Sequence, residues 1–324
     1  MLTSKRHFIK KQGKKVNALK NPKGRRRLLN LAVCAFLLLA VFLCVSCGSK
    51  KVNVAAALKK GISKASSLMV AVPGKGYSIL ATEVTQELYK SVMGENPSGF
   101  DGEKNLPVEC LSWYDAVVFC NRLSEQEGLE PAYSVDGETD VEEWGYSPHE
   151  AAEFKPEIKW RKNANGYRLP TVEEWQYAAK GGQNYKYSGS DDLDKVGWYG
   201  EIKGFLPAGK THSVAQKAPN GYGLYDMSGN VWEWCWDFAE DEDYSGLLDG
   251  YDELLESYRE LQDRYPGLLD DDYSDFLDAI STRYICGGCC AGFAESCETD
   301  SKVDTDASLG DFFTGFRVAR NLGR

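Results

Sequence analysis

The first 46 residues contain no aspartate or glutamate, yet they carry eleven lysines and arginines. The remainder is short of positive charge instead. Removing those eleven leaves 27 Lys and Arg against 48 Asp and Glu, so the formal charge moves from −10 to −21. A surface that acidic repels phosphate backbones and argues against a nucleic-acid partner. It is compatible with divalent cations or basic partners. Histidine is scarce as well: His7, His149 and His212 are the whole complement, and His7 lies in the basic leader. A metal centre built from three histidines therefore cannot be assembled from the rest of the chain.

After the basic leader comes an apolar run from Leu28 to Val45, broken by Asn30 and ending at Ser46-Cys47-Gly48. A basic n-region, an apolar h-region and a small residue before a cysteine make an export signal. The junction resembles a bacterial lipobox, with Cys44 at position −3 where Leu is usual, which makes Cys47 the expected site of lipidation. An uncleaved signal anchor is the alternative, since the run is nearly long enough to span a bilayer. Either arrangement carries the domain out of the cytoplasm, as a membrane-anchored protein of the periplasm or cell surface. Seven cysteines follow Cys47: Cys110, Cys120, Cys235, Cys286, Cys289, Cys290 and Cys297. Export permits disulfides, and the odd number leaves at least one thiol over or pairing between chains.

Residues 47–68 lack aromatics and are rich in Lys, Ala and Ser, the composition of a tether. The domain is expected over 69–324, opening with a strand in "MVAVPGKGYSI". Helices are expected after Thr85, with Gly94 as the stop, and after Ser112, with Asp115 at N3 and Gly128 closing. A third follows Thr171, with Glu174 three residues on and Gly181-Gly182 at its end. From 182 to 230 the chain is loop-rich. Four of the eight Trp fall at 198, 232, 234 and 236, where large buried rings would anchor loops. Residues 237–280 hold sixteen acids against Arg259 and Arg264, and Tyr251, Leu254, Leu255, Tyr258, Leu261 and Tyr265 recur at helical spacing. This reads as an acidic helical insertion presenting carboxylates to water.

The blocks "EVTQELY", "NPSGF", "LPVECLSWYDAVVFCNRLS", "NGYRLPTVEEWQYAAKGG", "PNGYGLYDMSGNVWEWC", "GG" at 287–288 and "GFRVAR" occur in that order. Together they resemble the formylglycine-generating enzyme, or sulfatase-modifying factor, family. The resemblance implies an α+β, C-type-lectin-like fold with little regular secondary structure. It also implies a structural calcium site from the Asp226 side chain, the Met227, Gly229 and Val231 carbonyls and the Glu233 carboxylate. Alternating carbonyls flanked by two acids suit a cation that needs six or more oxygens. The plain alternative is that Asp226 and Asn230 merely fold a turn. The family's other calcium site has no Asp or Asn counterparts near Gly197.

The family's oxidase branch holds copper between two cysteines. Counted from Gly287-Gly288, the second falls on Cys297, the first falls on Gly292, and the family's serine is Cys289. Glycine offers copper(I) no thiolate, so copper is not expected, and Cys297 is catalytic only if the chain is an enzyme. The iron branch needs three histidines and is excluded by their number. A non-catalytic branch includes surface lipoproteins whose last segment is a ligand-binding patch, in some cases varied by retroelements. Held ends around an altered interior point to a binding face over 289–314, with Cys290, Ala291, Gly292, Phe293, Ser296, Glu298, Asp300, Asp304, Phe312 and Phe313 as contact residues; Asp306 and Asp311 are further acids in it. Phe side chains would anchor an extracellular protein and the acids would favour a basic one. The competing reading is a copper-dependent oxidase acting on a sulfatase cysteine.

Overall fold

The computed structural model describes residues 64–149, 157–200, 202–203, 206–207, 209–239 and 282–323. The leader, Cys47, most of the tether and residues 240–281 of the acidic insertion lie outside the described residues.

Among the described residues, two four-stranded sheets, two two-stranded pairs and four α-helices make up the fold. Strands β1 (Met69–Ala71) and β2 (Tyr77–Leu80) form a hairpin, with Val70 opposite Ile79. Helix α1 spans Gln86–Met93, α2 Trp113–Gln126 and α3 Val172–Lys180, with the short α4 at Leu193–Val196. Two-residue strands β3 (Tyr133–Ser134) and β4 (Lys159–Trp160) pair with each other, and β5 is Tyr167–Arg168. A second two-stranded pair joins β6 (Ile202–Lys203) and β7 (Leu206–Pro207). The longer strands follow as β8 (Trp232–Phe238), β9 (Thr282–Cys286), β10 (Lys302–Asp306), β11 (Thr314–Gly315) and β12 (Ala319–Asn321).

Local chemistry sets the helix starts. The Thr85 hydroxyl accepts from Leu88 N at 3.2 Å. Ser112 and Asp115 form a reciprocal box at 3.0 and 2.8 Å, and Thr171 and Glu174 another at 3.1 Å each way. Each satisfies amides that the helix itself leaves open. Eleven of the fourteen residues of α2 are buried, which makes it the central helix, packed on α1 and β5. Helix α3 packs on β8 and β9.

Topology then joins the first and last strands of the described residues. The first sheet runs β1-β2-β12-β5, so β12 pairs antiparallel with β2 and β5. The second runs β10-β9-β8-β11, with β11 parallel to β8. Trp113 donates to Cys235 O at 2.9 Å and Trp234 to Leu111 O at 3.2 Å, both rings fully buried, whereas Trp198, Trp232 and Trp236 are half-buried.

Two boundaries differ from the sequence reading. Ala65 and Leu68 belong to a 3₁₀ turn and are buried in the core, so ordered packing begins inside the segment read as tether. Asp237 and Phe238 are the last residues of β8 rather than the start of a solvated insertion. The Asp237 carboxylate accepts from Val172 N at 2.7 Å, at the open start of α3.

Candidate functional site

Where β12's lead-in passes beneath β8, four charged side chains meet out of water. Arg317 grips Glu233 with two parallel bonds, Nε to Oε2 at 2.5 Å and Nη2 to Oε1 at 2.6 Å, and neither residue is exposed. The Trp175 indole also donates to Glu233 Oε2, at 2.7 Å. Glu83, at the end of the strand-like run "YSILATEV", accepts from Val231 N at 3.1 Å and Asn230 Nδ2 at 2.7 Å. Asp226 Oδ2 accepts from Ala215 N at 2.7 Å, while its buried Oδ1 has no partner.

Three buried carboxylates thus share one guanidinium. Burial, then the fields of Asp226 and Glu233, hold the Glu83 carboxyl well above the usual carboxylate range. Burial likewise pushes the Asp226 carboxyl up, to about 6. The arrangement is short of positive charge at the loop for which the sequence predicts calcium. Among the described residues no three His, Cys, Asp or Glu side chains converge as a metal cage. A site on this loop would draw on backbone carbonyls at Met227, Gly229 and Val231 between the Asp226 and Glu233 side chains. The unpartnered Asp226 Oδ1 fits that role; Glu233 is already engaged by Arg317 and Trp175. Sequence reasoning missed Glu83 and gave Arg317 no role. The available signal for Glu83 was a lone acid at the end of an apolar run.

The second region begins at Gly287 and Gly288, with φ of 98° and 76°. A Cβ at 288 would stand 2.6 Å from Cys297 Sγ and one at 287 would stand 2.9 Å from the Trp175 ring, so both positions need glycine for space as well as for φ. The turn docks on the acidic cluster's loop: Gly229 N donates to Gly287 O at 2.7 Å and Cys290 N to Asn230 O at 2.9 Å.

Of the residues expected to contact a ligand, Cys290 and Ala291 are buried and present no side chain outward. The Cys290 backbone carbonyl lies so close to Gly200 and Gly209 that a Cβ at either would stand 2.7 or 1.9 Å from it. Gly292 is half-buried; a Cβ there would meet Ser296 Oγ at 2.9 Å and Cys289 Sγ at 3.4 Å. Cys297 is fully buried, its carbonyl accepting from Ser228 Oγ at 2.7 Å. Burial raises the thiols of Cys289 and Cys290 and pushes that of Cys297 up to about 12. All three are thiols, not thiolates, at neutral pH, the inert form of cysteine.

Outward-facing residues lie further along. Phe293 and Phe312 are each 55% exposed and Leu309 60%. Phe312 and Phe313 pack against Phe100 at centroid distances of 6.0 and 6.1 Å. Phe100 was not anticipated. Its loop is held by the buried Glu109 carboxylate, which accepts from Gly99 N at 3.1 Å and Phe100 N at 3.0 Å. No ring contact joins Phe293 to this group among the described residues. Asp300 and Asp304 are exposed. Ser296 is half-buried, its hydroxyl turned back to Phe293 O at 2.7 Å, and Glu298 pairs with Lys186 at 3.1 Å. Asp306 and Asp311 spend their carboxylates on turns, Asp306 on Ser308 and Asp311 on Phe313 N and Thr314 Oγ1.

A two-sheet α+β domain with long anchored loops, a buried acid–guanidinium cluster and sealed thiols defines a scaffold with sulfatase-modifying-factor architecture. The family model for the sulfatase-modifying factor enzyme 1-like domain matches residues 42–322, and the chain belongs to that family. The chain is similar to the chaperone protein LppX of Paenibacillus barcinonensis, 44% identical over 172 residues, covering 48% of this chain and 60% of that protein. It is 40% identical over 84 residues to the formylglycine-generating enzyme of Streptomyces coelicolor, covering 22% of this chain and 27% of the enzyme. The match thus spans less than two thirds of either curated relative's length. Among solved structures, Treponema denticola variable protein 1 superposes with a TM-score of 0.56 at 32% identity, covering 78% of this chain and 91% of that one.

Proposed function

We propose that the chain is an exported, lipid-anchored, non-catalytic member of its family that binds an extracellular protein through the 289–314 face. The observation that carries this reading is the exposed Phe312, packed with Phe313 against Phe100, together with the exposed Leu309 on the same segment. Apolar anchors on such a face are the side chains that gain most from a partner's cover. Exposed Asp300 and Asp304 favour a basic partner. Glycine at 292 and protonated, buried thiols at 289, 290 and 297 support the absence of oxidase chemistry. Relatives named as a chaperone and as a variable protein are in keeping with binding rather than turnover.

Calcium would be structural, held by the Asp226 side chain and neighbouring carbonyls. It would supply the positive charge that Arg317 alone does not.

Capture from an extracellular extract by the immobilised domain tests the binding reading. Phe312→Ser with Leu309→Ser is expected to abolish retention while the fold persists; retention by that folded variant would move the binding face elsewhere. Incubation with copper and a sulfatase-derived cysteine peptide is expected to leave the cysteine unconverted. Cys47→Ala is expected to release the chain from the membrane fraction.

A further inference from the structure

The one sulfur–sulfur contact among the described cysteines is Cys235 to Cys286, at 3.8 Å, with both side chains fully buried. The two residues lie on neighbouring antiparallel strands, β8 and β9, whose register pairs Glu233 with Cys286. From Trp234 to Phe238 the ladder then advances four residues on β8 against two on β9. Cys235 sits in that bulge, which re-aims its side chain toward its neighbour. Both sulfurs face the same apolar cluster, between β2, α3 and β12.

We propose that Cys235 and Cys286 form a disulfide in the exported protein. An S–S bond is about 2.0 Å long, so the two sulfurs must close by a little under 2 Å, through side-chain rotation together with adjustment of the backbone at the bulge. The reaction converts two thiols to one disulfide, releasing two protons and passing two electrons to a disulfide oxidant that becomes a dithiol. Burial holds the Cys235 thiol well above its ordinary range. Folded protein is therefore a poor substrate, and the bond forms while the strands are still assembling.

Position gives the bond a purpose. Residues 240–281, the core of the acidic insertion, are joined to the fold through β8 and β9, and Cys235 and Cys286 stand at their two ends. A bond there ties the base of that excursion covalently. The two strands that lead into and out of residues 240–281 are then held together by a covalent link as well as by their ladder.

The test uses the full mature chain, exported from an oxidising host or refolded in a glutathione disulfide buffer. Limited proteolysis within 240–281 is followed by denaturation with an alkylating agent and no reductant. The two fragments are expected to migrate together and to separate only on reduction, and peptide mapping should link Cys235 to Cys286. Cys235→Ser and Cys286→Ser should each separate the fragments without reductant and lower the melting temperature by roughly 4–16 °C. Alkylation of both cysteines before reduction, or a link from either to Cys289, Cys290 or Cys297, overturns the proposal.

Discussion

Replacing Asp226 by asparagine should stabilise the metal-stripped domain at neutral pH. Asp226 is buried, and one of its oxygens has no partner. Its carboxyl titrates at about 6 in the fold against an ordinary value of 3.8, chiefly because burial penalises the charge. A raised carboxylate value means the fold prefers the proton. The associated stability is fully present below about pH 4 and is lost as pH rises through about 6. At 1.36 kcal/mol per pH unit, that interval corresponds to about 3 kcal/mol. An asparagine amide in its place would keep the acceptor for Ala215 N, and asparagine tolerates the left-handed backbone, φ 57°, found there. Asp226→Asn should therefore gain about 3 kcal/mol at pH 7.5 in metal-free buffer, about 6–12 °C in melting temperature, and almost nothing at pH 4. Added calcium should raise the melting temperature of the parent and leave the variant unmoved. Calorimetry of metal-stripped protein at the two pH values, with and without calcium, decides it. A variant less stable than the parent in metal-free buffer at pH 7.5 would refute the claim that this carboxylate is held at a cost.

Arg317→Met should destabilise by about 3–5 kcal/mol, because it leaves three buried carboxylates without a cation. Adding Glu233→Gln should restore part of that loss in denaturant titrations. Gly288→Ala should cost about 2–5 kcal/mol, since φ is 76° and the new methyl group meets Cys297 Sγ at 2.6 Å and Ser296 O at 2.8 Å. Cys297→Ala in that background should recover only part of the loss, because the second obstacle is backbone. Leu309→Ser, at a strongly exposed site, should move stability by no more than about 0.5 kcal/mol, and Phe312→Ser by up to about 1.5 kcal/mol because its ring packs on Phe100. A large loss in thermal melts would assign them to the core and remove the proposed face.

Helix starts were legible in the chain because a cap and its N3 partner lie three residues apart, within one turn: Thr85, Ser112 with Asp115, and Thr171 with Glu174 could be read directly. Of the tryptophans read as anchors, Trp234 is fully buried, while Trp198, Trp232 and Trp236 are half-buried. Long ordered motif blocks identified the family because they too are contiguous chemistry. The charge cluster was not legible. Arg317 reaches Glu233 across 84 residues, and Glu83 reaches Asn230 across 147. Only the pairing of β12 with β2 and of β11 with β8 brings these segments together. The same holds for the proposed binding face. The sequence could bracket 289–314, but which side chains point outward depends on what the backbone packs against. Cys290 is buried with its backbone carbonyl against Gly200 and Gly209, Asp311 is spent on its own turn, and Phe100 joins Phe312 from a loop far earlier in the chain. Capping is a local balance of unpaired amides against nearby oxygens, so sequence alone determines it. Burial and charge compensation are sums over neighbours in space, and only the tertiary structure decides who those neighbours are.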